Sequence, residues 1–187
     1  MKISAFLAPT RDRWLRRPLG SVAFKPWLLS PGSLTKRLQQ HSQQFRVQAI
    51  SQKRQPSRLS ETSLLRLPAR RAALLRDVLL HCDDQPVVFA HSVLPVNALA
   101  GGWRQLPSLG NRSLGSTLFA DPRTCRTRLQ FKKLYSGHFL YKLVGASQAA
   151  VQGPLWARRS VFRLQGRAIL VTEVFLPSVL ALQEQTS

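Results

Sequence analysis

Two charged residues stand where the sequence leaves charge no easy place. Glu173 lies within Ile169-Leu170-Val171-Thr172-Glu173-Val174-Phe175-Leu176. At the two-residue period of a strand it shares a face with Ile169, Val171 and Phe175. A carboxylate there is desolvated, which raises its pKa unless a cation or hydrogen-bond donors compensate. Such groups cluster at active sites, where they carry protons. The same residue would serve equally as one half of a structural ion pair with an arginine. Left uncompensated, the carboxylate would burden the fold, and Glu173→Gln would leave stability intact. Arg76 is the second. If Leu74 to Leu80 is extended, Arg76 shares a face with Leu74, Val78 and Leu80. A guanidinium on an apolar face needs an anion, and its planar fork grips a carboxylate with two hydrogen bonds. That carboxylate is either a protein residue or a ligand. With 8 Asp and Glu against 28 Lys and Arg, an anionic ligand gains weight.

Other chemistries lack their residues. The chain has no GxSxG elbow, no Walker A sequence and no GxGxxG. No His or Cys pair has zinc spacing. His81-Cys82-Asp83 is read as a strand end and turn, since adjacent side chains rarely converge. His41, His91 and His138 are isolated and are read as surface or packing residues. No metal and no cofactor is expected.

Several elements must position these two charges. Residues 1–25 are basic and irregular, and a loosely ordered N-terminal segment is expected there, followed by one domain over 26–187. Pro31-Gly32 marks a turn, and Ser33 is an N-cap for a short helix from Leu34. Gln44 to Ile50 alternates like a strand, with Phe45, Val47 and Ala49 on one face. Gln52 to Leu67 is polar, contains Pro56, and reads as a loop or flap. Residues 69–95 fit two patterns. Ala72 to Leu80 is rich in helix formers, yet Cys82-Asp83-Asp84-Gln85-Pro86 is a turn cluster and Pro86 to Leu94 a strand, so a hairpin fits as well. Gly101-Gly102 and Leu109-Gly110 to Leu114-Gly115 mark a loop region. Trp156–Leu164 and Ala168–Leu176 read as strands joined at Gln165-Gly166. Sparse helices with several antiparallel strands predict an α+β domain.

Length and charge bound the rest. A chain of 187 residues, 44% apolar, builds one core. A formal charge of +20 attracts anions and speeds their encounter. Nucleic acid, an anionic membrane face and an acidic small molecule all fit such a balance. A nucleic-acid-binding protein is one alternative, but no binding motif appears and the aromatics do not interleave with the basic runs. Cys82 and Cys125 belong to no CxxC unit and suit a reducing compartment. Met1 to Thr10 is too weakly apolar for a secretory signal, and Ala168 to Leu182, interrupted by Glu173 and Pro177, is too short to span a bilayer. A cytoplasmic protein with no membrane span is expected.

These segments also carry a resemblance. Ser33-Leu34-Thr35-Lys36-Arg37, Leu75 to Leu80, Val93-Leu94-Pro95-Val96, Ser113-Leu114-Gly115 with Leu118-Phe119, Leu155-Trp156-Ala157-Arg158-Arg159-Ser160 and Thr172-Glu173-Val174-Phe175-Leu176-Pro177 occur in an order and at spacings that resemble the chorismate lyase family. The Leu-Trp-x-Arg-Arg-Ser unit followed by Thr-Glu-x-Phe-Leu-Pro is the most specific part. The chain departs from the family pattern in a longer, basic stretch over 121–154 and in Leu at position 34, where Met can stand. The resemblance implies an α+β domain with an antiparallel β-sheet, helices on one side and flaps over a buried ligand, and it favours the hairpin at 69–95. It implies cleavage of chorismate to 4-hydroxybenzoate and pyruvate for ubiquinone synthesis, in a monomer with no specific nucleic-acid partner. It further implies that Arg76 and the Leu114 N–H bind the ring carboxylate, that Glu173 contacts the ring oxygen at the far end, and that Leu34 lines the pocket. A ligand-sensing domain on the same fold is the remaining alternative.

Overall fold

The computed structural model describes residues 12–68, 71–147, 151 and 153–184. The readings made on Met1 to Thr10 lie outside them. The centre of the fold is one antiparallel sheet of seven strands: β1 (Phe45–Pro56), β2 (Ala72–Cys82), β3 (Gln85–Pro95), β4 (Cys125–Arg126), β5 (Gln130–Leu134), β6 (Leu155–Leu164) and β7 (Arg167–Phe175). Their order is β1-β2-β3-β7-β6-β4, with β5 also on the outer edge of β6. The hairpin reading of 69–95 is therefore correct, and the helix-forming residues of Ala72–Leu80 are strand. Both neighbouring strands pair with this segment along its length, and tertiary pairing overrides a weak local propensity. Two-residue turns set the registers. Asp83 and Asp84 have φ of 48° and 64°, and Gln165 and Gly166 have 50° and 72°. Positive φ at both central residues is what a type I′ hairpin requires.

The reading of Gln52 to Leu67 as a loop needs correction. β1 continues to Pro56, and α3 (Leu59–Leu65) follows. The polar composition reflects an edge strand, whose residues from Gln52 onward are exposed.

Helices cover both faces of the sheet rather than one. The short helices α1 (Lys25–Leu28), α2 (Leu34–Gln40) and α4 (Leu114–Ala120) pack Trp27, Leu28, Leu34, Leu38, Leu114 and Leu118 on the face formed by Leu74, Val78, Leu80, Val171 and Phe175. On the opposite face, Leu65 of α3 joins Leu75, Val93 and Leu170, and α5 (Phe139–Ser147) places Leu140 and Val144 against Leu79, Phe89 and Val174. A strand with apolar residues at both parities needs cover on both sides, and β2 is buried from Ala73 to Cys82. Each large apolar side chain buried this way contributes about 1.5–3 kcal/mol. A polar contact also fastens α3. His91 of β3 bonds Asp77 Oδ1 at 2.6 Å and Glu61 Oε1 at 2.9 Å, all three buried. Thus His91 is a packing residue.

Residues 12–25 are tied to the sheet at several points. Leu15 exchanges backbone hydrogen bonds with Phe131, and Asp12 meets Lys132 Nζ at 2.8 Å. The stretch 121–154 supplies β4, β5 and α5, and it brings Arg126 beside Phe162.

Candidate functional site

Arg76 and Glu173 occupy the same face of the sheet. Arg76 pairs with Ser92, which pairs with Val171, whereas Glu173 pairs with Ala90, which pairs with Val78. They are two strands apart and offset by two residues. Strand spacing and rise put their Cα atoms ~12 Å apart. α2 and α4 lie over this face with their first turns touching. Thr35 Oγ1 and Ser113 Oγ are 2.6 Å apart. A Cβ on Gly115 would come within 2.7 Å of Thr35 Oγ1, so that crossing needs glycine. The space between these helices and the sheet is lined by Leu34, Arg76, Leu114, Arg126 and Glu173 among apolar residues such as Val78, Leu118 and Phe162. All four residues singled out from sequence thus face one cavity. What covers it is α2 and the start of α4, not the 52–67 segment.

Arg76 is 2% exposed. One terminal nitrogen donates to the carbonyls of Gly110 at 2.9 Å and Arg112 at 3.0 Å, which fixes the loop before α4. Its Nε is buried with no partner, and no carboxylate among the described residues lies within 4.0 Å of it. Burial lowers its pKa. A buried guanidinium without a protein counter-ion is costly unless an anion reaches it.

Glu173 is not alone. Arg158, its cross-strand partner on β6, is fully buried and donates from Nε to Glu173 Oε2 at 2.5 Å. The other side of the Arg158 fork donates to the carbonyls of Trp27, Leu28 and Ser30, so this arginine also holds the end of α1. Glu173 is therefore a member of an ion pair and also a wall of the cavity. The expectation that Glu173→Gln would leave stability intact required an uncompensated carboxylate, and Arg158 removes that premise.

Arg126 is the further residue that sequence reasoning missed. Its Nε donates to Ser160 Oγ at 2.9 Å, and one terminal nitrogen donates to Pro31 O at 3.0 Å. The other lies 3.9 Å from Glu173 Oε2. Phe162 and Phe119 flank its guanidinium, 5.2 and 5.8 Å away. Burial lowers its pKa, and the neighbouring Glu173 opposes that shift. Arg76 and Arg126 against Glu173 leave the cavity wall with a net charge of +1, and Arg158, buried behind Glu173, brings the four groups together to +2. That balance suits a small dianion. Among the described residues no group of three or more His, Cys, Asp or Glu could hold a metal ion.

Residues 9–185 match the family model described as chorismate lyase. A protein of Methylobacillus flagellatus named probable chorismate pyruvate-lyase is 57% identical over 172 residues, 92% of this chain and 97% of that one. A protein of Nitrosospira multiformis with the same name is 45% identical over 83% of this chain and 87% of its own. Among solved structures, the C-terminal domain of PhnF has a TM-score of 0.56 at 11% identity, covering 70% of this chain and 82% of that domain. The effector domain of PhnF from Mycobacterium smegmatis has the same TM-score at 16% identity, over 80% of this chain and 91% of that one. These two likenesses concern the fold.

Proposed function

The chain belongs to the chorismate lyase family, and we propose that it cleaves chorismate to 4-hydroxybenzoate and pyruvate in the cavity beneath α2 and α4. The observation that carries this reading is Arg76: a guanidinium buried in an apolar wall, with an orphaned Nε and no acidic partner among the described residues. An aromatic carboxylate supplies the missing anion and the apolar body that the surrounding wall accommodates.

Chorismate carries two carboxylates, a ring hydroxyl and an enolpyruvyl ether on the carbon next to the carbinol carbon. In the reaction the ether C–O bond and the neighbouring carbinol C–H bond break. A hydrogen reaches the enol methylene, which becomes the methyl group of pyruvate, and the ring gains its third double bond. Aromatisation favours the products, so the protein mainly orients and balances charge. Arg76 and the N–H of Leu114 hold the ring carboxylate. Glu173 meets the ring oxygen at the opposite end, a span that suits a para-substituted benzoate with a hydrogen bond at each end. Leu34 closes the wall above the ring. Arg126, the other arginine of the cavity wall, holds the enolpyruvyl carboxylate. The hydrogen can pass directly to the methylene in a concerted step, or through Glu173 as base and then acid.

The reaction uses no cofactor. We assign the activity to ubiquinone synthesis and to the cytoplasm. Two free cysteines and the absence, among the described residues, of a helix long and apolar enough to cross a membrane accord with that location. We take the working unit as a monomer. Incubating the purified protein with chorismate and following 4-hydroxybenzoate by absorbance tests the reading. No product over a buffer control would overturn it. Retention of ligand without turnover would favour a sensing domain instead.

A further inference from the structure

The opposite face of the sheet carries a second concentration of charge that the cavity does not use. The outer ladder on β6 is interrupted there. β4 pairs only at Cys125 and Arg126, and β5 resumes at Gln130. The residues between bow outward, held by Thr127 N–H on Val161 O and by Val161 N–H on Thr127 Oγ1. The break leaves a groove, open to solvent, lined by Arg16, Arg17, Arg128, Arg159 and Arg163 and, among the described residues, by no acidic one.

Four of these arginines are exposed or half-buried and would be solvated in any case. Arg159 is different. It is 7% exposed, and its contacts engage only one of its five N–H donors. Nε donates to Gln130 Oε1 at 2.9 Å, and the guanidinium stacks over Trp14 at 4.2 Å. Its two terminal nitrogens have no hydrogen-bond partner, and no carboxylate lies within 4.0 Å, among the described residues. Burial lowers its pKa to about 10, with Asp12 and Glu61 acting against that from further away. A cation desolvated to this degree, lining a groove free of acids, lacks a counter-charge. Trp14 and Gln130 fix the orientation of its fork.

We propose that this groove binds a phosphate-bearing anion, with Arg159 as its floor and Arg128, Arg163, Arg16 and Arg17 as its rim. Several guanidinium forks around one depression match the oxygens and double charge of a phosphate better than a single carboxylate. The donor could be a soluble phosphorylated molecule or the headgroup of an acidic phospholipid, because both present the same group.

The test uses the whole chain at about 150 mM salt, where non-specific attraction is screened. Pyrophosphate is titrated calorimetrically, and vesicles with or without phosphatidic acid are tested by co-sedimentation. Arg159→Gln should weaken binding about ten- to a hundred-fold, as loss of a charge-assisted contact does. Should that variant fold poorly, Arg128→Gln with Arg163→Gln at the rim serves instead, with a loss of about ten-fold. Neither change touches the chorismate cavity, so turnover should be unaltered in the rim variant. Binding of pyrophosphate alone assigns a soluble ligand, and capture by phosphatidic acid vesicles assigns the lipid. Equal affinity in wild type and both variants would overturn the proposal. So would displacement of pyrophosphate by 4-hydroxybenzoate, since the anion would then be sitting on Arg76.

Discussion

Replacing Glu173 by Gln tests both roles of that residue at once. The substitution keeps size and leaves an amide oxygen that can still accept from Arg158 Nε, but it removes the counter-charge of a fully buried guanidinium. Breaking a buried ion pair by deleting one partner costs about 3–5 kcal/mol. Two features reduce that figure here. Arg158 retains three backbone carbonyls, and the Glu173 side chain is 15% exposed, so part of its charge is already solvated. The difference between a charged and a neutral hydrogen bond alone is about 1 kcal/mol. We therefore expect a loss of about 2–3 kcal/mol, which for a chain of this length lowers Tm by about 4–12 °C. Differential scanning calorimetry of the free protein measures the shift, and a single-turnover assay with chorismate measures the chemistry. If Glu173 carries a proton, kcat falls by about a hundred-fold or more. If it only orients the substrate, kcat is largely kept while 4-hydroxybenzoate affinity changes. A variant as stable as the wild type would refute the account of Arg158 as a charge balanced by Glu173. A variant with lowered Tm but normal turnover and product affinity would reduce Glu173 to a structural residue.

Arg76→Ala should lower kcat/KM by about ten- to over a hundred-fold, the worth of a charged contact, with some loss of Tm because the Gly110 and Arg112 carbonyls lose their donor; near-normal kcat/KM would sink its assignment. Arg126→Gln should raise KM for the dianion chorismate but leave the Kd of the monoanion 4-hydroxybenzoate within about two-fold, and equal losses for both ligands would place Arg126 at the ring carboxylate instead. His91 yields a pH dependence. Burial alone would lower its pKa, but the hydrogen bonds it donates to Asp77 and Glu61, with their negative charge, outweigh burial and raise it to about 9, against 6.5 in an unfolded chain. Because the folded value is the higher, this contribution is complete below pH ~6.5 and is lost as pH rises through ~9. Tm of the wild type should therefore decline between those values, and His91→Gln should flatten that decline; an unchanged slope in the variant would remove His91 as its source.

The sequence disclosed the site where one strand was enough to read and concealed it where two were needed. Arg76 and Glu173 are legible because each interrupts an apolar face of its own strand. The same rule, applied to Leu155–Leu164, flags Arg158 between Trp156 and Ser160 on one face, but the doublet Arg158-Arg159 looks like a solvated charge pair. In fact the two side chains leave opposite faces: one onto Glu173 of the cavity wall, the other into the groove. Their partner was also within reach. A two-residue turn at Gln165-Gly166 pairs Leu164 with Arg167, so Arg158, six residues before Leu164, must face Glu173, six after Arg167. Counting back from the turn would have identified the ion pair that the sequence reading left open as an alternative. Arg126 offers no such signal. It reaches the cavity because a two-residue strand docks against Phe162, across 36 residues of chain, and nothing local records that pairing. The polar run from Gln52 misled for a related reason: an edge strand has one unpaired side and needs no apolar alternation, so period-two patterning cannot find it. Charge is read on a strand by contrast with its neighbours, and the contrast is strongest where both faces are buried. That condition holds for β2, β6 and β7, which is why Arg76 and Glu173 are visible in the sequence and Arg126 is not.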